Sequence, residues 1–170
     1  MPIIDTLKEQ AYARLAGWPI ALLRIFTGIM FLFPGWRKVT SEFSARGFVE
    51  ASVAGFPGDD SRLGAPGWYA WFLENVVLAV PALFSFLVAW GELFIGLALI
   101  FGVASRAAAT CGVVLLLSFH FAKGIDFWSA ANYDAIWAMI FFVLAASAAG
   151  RVFGFDEYLY RRWPGGRWFW

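Results

Sequence analysis

Two ionisable side chains interrupt long apolar runs: Arg24 in "WPIALLRIFTGIMFLFPGW" and Glu92 in "SFLVAWGELFIGLALIFG". A charge in hydrocarbon costs several kcal/mol unless it is paired, so each is expected to face protein rather than lipid. Helical spacing puts Arg24, Gly28, Phe31, Gly35 and Lys38 on one face, and Ser85, Ala89, Glu92, Gly96 and Leu99 on another. Small residues of this kind mark where membrane helices approach closely. Arg24 lies six residues in from Trp18, about 9 Å, and Glu92 ten residues in from Gly102, about 15 Å. An extended arginine spans that offset. The expectation is an Arg24–Glu92 ion pair, or a Glu92 held by hydrogen bonds; the alternative is that Glu92 binds a substrate headgroup or relays a proton.

A second group gathers where the apolar runs end. "GWRK" supplies Trp36, Arg37 and Lys38; "FHFAKGIDFW" supplies His120, Lys123, Asp126 and Trp128; "ANYDAIW" supplies Asn132, Tyr133 and Asp134. Cations beside a histidine and acids suit a small anion or the polar head of a quinone. His120 is a proton donor or acceptor near neutral pH. Interfacial anchoring explains any one of these residues taken singly.

The elements that position these groups follow from composition. The chain is 61% hydrophobic, 20% aromatic and 15% charged, with a mean hydropathy of +0.68. Soluble domains run at about 45–50% apolar and about 25% charged. The apolar blocks are long enough for a hydrocarbon core of about 30 Å, and open strands cannot satisfy their backbone there. The fold class expected is an all-α integral membrane protein: a four-transmembrane-helix bundle forming one membrane domain over residues 1–170. Its spans are placed at about 18–36, 76–103 (with Pro81 in the first turns), 105–121 and 133–150.

A long outer loop, about 37–75, joins the first two spans; its Trp68, Tyr69, Trp71 and Phe72 read as an interfacial belt. The fourth span carries its own mostly small stripe, Asp134, Ala138, Phe141, Ala145 and Ala149. An even number of spans puts both termini on one side, with the tight turn at Arg106. That side carries Lys8, Arg14, Arg106, Arg151, Arg161, Arg162 and Arg167, against Arg37, Lys38, Arg46, Arg62 and Lys123 on the other. The basic bias places both termini in the cytoplasm; the membrane expected is a prokaryotic inner or plasma membrane. The first span shows no small-x-small cleavage pattern and reads as uncleaved. The tail "YLYRRWPGGRWFW" is expected on the inner membrane surface.

Several classes are disfavoured. A net charge of +1 implies no nucleic-acid partner, a single Cys111 allows no internal disulfide or Cys-x-x-Cys pair, and one histidine cannot form a bis-histidine haem site. No metal, flavin or phosphate-loop signature is present.

The stretches "LLRIFTGIMFLFPGWRK", "FLENVVLAVPALFSFLVAWGELFIGLALIFGVASRAAA" and "AGRVFGFDEYL" resemble the DoxX superfamily, and within it the DoxD-like small subunit of thiosulfate:quinone oxidoreductase. Arg24 and Lys38 match the family's arginine and lysine, and Glu92 and Arg106 its glutamate and following arginine. The resemblance implies quinone-linked redox chemistry: two thiosulfates joined to tetrathionate, two electrons passed to a membrane quinone, and a second, smaller redox subunit as partner. On that reading Glu92 and His120 are the catalytic proton carriers, and Arg24, Glu92 and Tyr133 hold the quinone cofactor. Arg37, Lys38 and Lys123 would bind the thiosulfate dianions. The lipid bilayer and a second copy of the chain complete the expected partners. The alternative is a non-catalytic scaffold or assembly subunit of a redox or stress-response complex.

Overall fold

A computed structural model describes residues 17–163, 165, 166 and 169; Lys8, Arg14 and Arg167 lie outside them. Among the described residues the chain forms α1 (Trp18–Thr40), α2 (Arg46–Ala54), α3 (Gly67–Phe72), α4 (Pro81–Phe101), α5 (Ser105–Lys123), α6 (Tyr133–Ala146) and α7 (Asp156–Arg162), with no strand. Helices α1, α4 and α5 are long and apolar enough to cross a membrane, whereas α6 is apolar but shorter.

Two expected boundaries move, each for a backbone reason. The second apolar helix begins at Pro81 rather than near Val76. Proline lacks the N–H that a first helical residue leaves unpaired anyway, so it suits the start of a helix. Residues Leu73–Val77 instead continue α3 as a π-turn. The segment expected over 133–150 is a helix of 14 residues, followed by a break at Ala148 (φ 49°) and a short 3-10 turn, Ala149–Arg151. At about 1.5 Å per residue it is about 21 Å long.

Antiparallel α1 and α4 pack backbone to backbone. A Cβ built on Gly35 would lie 2.4 Å from Leu93 N, and one on Gly96 would lie 2.6 Å from Leu32 N. The expected stripes form this contact: Gly28, Gly35, Ser85, Ala89, Glu92, Gly96 and Leu99 are all buried. Helices α5 and α6 pack through Gly112, which Phe141 covers so closely that a side chain there would overlap the ring. Phe141 also meets Phe31 of α1, with ring centroids 4.6 Å apart. The outward faces carry Leu22, Phe26, Phe33, Phe86, Phe94 and Phe142, all more than half exposed, as a lipid-facing surface requires.

A tight turn at Gly102–Ala104 joins α4 to α5, both residues left-handed (φ 67° and 49°). This is the turn end of the molecule. The opposite, capped end is covered by α2 and α3, which pack on α5. Three hydrogen bonds pin this cap: Ala45 N–H to Ser85 Oγ (2.9 Å), Ala65 N–H to Ser52 O (2.7 Å) and Gly64 N–H to Lys123 O (3.1 Å).

The glycine contact makes a direct prediction. Gly96→Ala is expected to cost about 1–3 kcal/mol, because backbone cannot yield to the new methyl. Gly91→Ala, where a Cβ meets nothing within 4 Å, is expected to be neutral or slightly stabilising. Thermal unfolding of the purified proteins in detergent distinguishes them; equal losses at both positions would refute the close contact.

Candidate functional site

Glu92 pairs with Lys38. Lys38 Nζ donates to Glu92 Oε1 at 2.5 Å, with the two side chains 24% and 6% exposed. The ammonium also lies over the rings of Phe43 (5.2 Å) and Phe119 (5.7 Å), a placement that favours a cation. Glu92 Oε2 is buried and has no hydrogen-bond partner among the described residues. The carboxylate thus holds one committed oxygen and one acceptor position to spare.

The expected Arg24–Glu92 pair does not form. Gly35 lies against Glu92 and Leu93, and Arg24 is eleven residues back along α1, about 16 Å at about 1.5 Å per residue. The ends of the two apolar runs are not level, because the glycine contacts set a different antiparallel register. Lys38, one turn beyond Gly35, is the cation that reaches Glu92.

Arg24 serves the turn end instead. Fully buried, it donates from Nη2 to Phe153 O at 3.2 Å, and its guanidinium fills the space that a side chain on Gly102 or Gly154 would take. Asp156 lies within its electrostatic reach. The Asp156 carboxylate accepts from Ala104 N–H (2.6 Å) and Ser105 N–H (2.9 Å), satisfying donors at the start of α5. Burial pushes the Asp156 carboxyl up from its usual range, against the pull of those N–H groups, the Ser105 side chain and Arg24. Asp156 N–H donates in turn to Gly102 O at 2.7 Å. Asp156 carries no signal in the sequence, because an acid after a glycine-containing turn gains its role only when the chain brings it to another helix.

The capped-end cluster resolves into separate pairs. Lys123 Nζ donates to Asp134 Oδ2 at 2.7 Å. Asn132 caps α6 by accepting from Ala135 N–H, which turns its amide nitrogen toward His120 Nδ1, 3.0 Å away. Nδ1 therefore accepts, and the neutral ring carries its proton on Nε2. Tyr133 is 68% exposed, and Arg37 is exposed. Arg24, Glu92 and Tyr133 are not brought together, nor are Arg37, Lys38 and Lys123, two of which are held in different ion pairs.

What the residues do enclose is an apolar cavity of about 510 Å³ between α4 and α5, beneath the α2–α3 cap. Phe48, Phe72, Phe84, Leu87, Val114 and Phe119 supply much of its wall, and none of its lining side chains is charged. The lining residues with hydroxyl or thiol groups are Tyr69, Thr110, Cys111 and Ser118. The Tyr69 hydroxyl lies against Ser118, and burial pushes the phenol above its usual range. The aromatics expected as one interfacial belt thus divide by helical face: Trp68 and Trp71 are exposed, while Tyr69 and Phe72 line the cavity.

Residues 20–124, more than half of the chain, match the DoxX family model. The chain belongs to the DoxX family. No curated protein and no solved structure matches it. With three long apolar helices, this DoxX protein is a membrane protein. The matched segment holds Arg24, Lys38, Glu92 and every residue lining the cavity; Asn132, Asp134 and Asp156 lie beyond it.

Two predictions follow from these pairings in the DoxX protein. Lys38→Met is expected to cost about 3–5 kcal/mol by stranding a buried carboxylate, and Lys38→Met with Glu92→Met to recover most of the loss. A double-mutant cycle of unfolding free energies measures this; strictly additive losses would count against the pair. Asp156→Ala is expected to cost about 1–3 kcal/mol by leaving the Ala104 and Ser105 N–H groups unpaired. Hydrogen exchange at those two amides should rise by the corresponding factor.

Proposed function

We propose that this DoxX protein is the membrane component of a quinone-linked oxidoreductase, built as a four-span bundle with its capped end outward and both termini in the cytoplasm. The observation that carries the reading is the uncharged cavity of about 510 Å³ with hydroxyl groups in its wall. Small-molecule sites are mostly apolar clefts of about 300–1,000 Å³ with a few placed polar groups. A quinone ring fits those requirements: flat, apolar, uncharged, and able to accept a hydrogen bond at each carbonyl. When bound, the quinone would supply a two-electron, two-proton acceptor.

The finer proposal is that the electrons come from thiosulfate. Two dianions join through a new sulfur–sulfur bond, giving tetrathionate and two electrons, and reduction of the quinone takes up two protons. The exposed Arg37 and the neighbouring Lys38 recruit the anions, with Lys123 as a third cation. Glu92 carries protons through its spare oxygen, and His120 through Nε2. A small redox subunit joins the chain for turnover, and a second copy of the chain is the expected oligomeric partner.

The test is reduction of a short-tailed, fully ring-substituted benzoquinone by thiosulfate, with the protein purified from membranes alone and with any co-purifying subunit. Thiosulfate-dependent reduction is expected, with Glu92→Gln lowering turnover at least tenfold while quinone binding persists. Absence of both turnover and quinone binding in a folded preparation would overturn the reading and leave the scaffold alternative.

A further inference from the structure

We propose that Tyr69 anchors the headgroup of the cavity's ligand beside Ser118, and that the ligand enters sideways from the lipid between α4 and α5, its tail leaving past Thr110 and Cys111. This rests on the quinone reading above and adds the site, the pose and the route. The lining residues are asymmetric. Tyr69 is buried, at 9% exposure, in the wall formed with Phe72, Leu73 and Val77. A buried phenol needs a hydrogen-bond partner, and the group against it is the Ser118 side chain. Ser118 spends its own O–H on Val114 O at 2.8 Å. The Ser118 oxygen is therefore the protein acceptor beside the Tyr69 O–H, and both line the apolar chamber.

The aromatic shell is densest around that donor. Tyr69 and Phe72 stand 5.5 Å apart, Phe72 and Phe84 6.4 Å, and Phe48 and Phe119 6.2 Å. Such rings offer faces and edges to a flat guest. One to two turns away along α5, Thr110, Cys111 and Val114 line the same cavity yet are exposed, as is Leu87 on α4. In a membrane those residues face hydrocarbon, so the chamber has a lipid-side mouth. From Ser118 to Cys111 is seven residues, about 10 Å, so a longer tail continues into the bilayer.

The chemistry selects the guest. With no charged side chain in the wall, a phospholipid headgroup has no counter-ion there, and a plain acyl chain leaves the Tyr69 donor unused. A neutral lipophile ending in a carbonyl acceptor uses both the donor and the rings.

Cys111, the chain's one cysteine, reports occupancy of the mouth. The full chain in phosphatidylcholine nanodiscs is treated with N-ethylmaleimide while decylubiquinone is titrated, and alkylation is followed by intact mass. Saturable protection is expected, slowing alkylation at least tenfold at saturation. Tyr69→Phe should raise the half-protecting concentration about tenfold, the loss of one buried hydrogen bond, whereas Ser118→Ala, which removes only a competing acceptor for the phenol, should not raise it. Trp71→Phe, on the exposed face of α3, should leave it unchanged; circular dichroism and elution volume establish that each variant is folded. Protection with the same midpoint in the wild type and Tyr69→Phe would overturn the anchor while leaving the quinone reading in place. Equal protection by dodecane would overturn the carbonyl requirement. If decylubiquinone gives no protection and no Trp quenching, both proposals fall.

Discussion

The backbone contact between α1 and α4 sets the positions of everything else. Gly28, Gly35 and Gly96 let two helix backbones approach to distances that no side chain would permit. Once that contact is made, the antiparallel register has little freedom to slide, because a shift by one turn would drive larger residues into the same gap. The register decides which cation meets Glu92. It brings Lys38 to the carboxylate and leaves Arg24 a long way down the helix, against the Gly102 turn. Two charges that each needed burial among protein atoms thereby find different surroundings, one at each end of the molecule.

The same contact helps explain the cavity. α4 is committed to α1, and α5 to α6 through Gly112 and Phe141. The remaining interface, α4 with α5, is the sparser one and is tied at one end by the Gly102–Ala104 turn. Asp156 and Arg24 hold that turn closed from below, using the backbone groups that a short connection leaves unpaired. Toward the other end the helices part, and α2, α3 and their π-turn roof the gap with Val49, Tyr69, Leu73 and Val77. The chamber is thus a consequence of two well-packed pairs meeting along a less well-packed one.

The polar groups at the capped end illustrate how proximity in topology differs from proximity in space. Lys38, Lys123, His120, Asn132 and Asp134 all lie toward the same end of the helices, yet they sort into Lys38–Glu92, Lys123–Asp134 and His120–Asn132. Each pair satisfies a charge or ring nitrogen that partial burial would otherwise leave costly. Cations committed in this way do not form one anion-binding bowl. Arg37 stays exposed, and one oxygen of Glu92 has no partner among the described residues.

Much was legible in the sequence because lipid and helix geometry act locally. Apolar run length gave α1, α4 and α5, and period gave the buried stripes, since a charged or small face among large apolar residues must turn inward. The DoxX motifs were legible for the same reason that they are contiguous. Pairing was not. Which of Arg24 and Lys38 reaches Glu92 depends on helix register, and register is fixed by backbone distances between residues more than fifty positions apart. The split of Trp68–Phe72 into a lipid face and a cavity face, and the reach of Asp156 to the α4–α5 turn, likewise required the chain to be folded back on itself. The sequence by itself determined which faces are buried, through local period and the cost of burying polarity; the tertiary structure decided which buried groups meet, because that choice is made by packing across the fold.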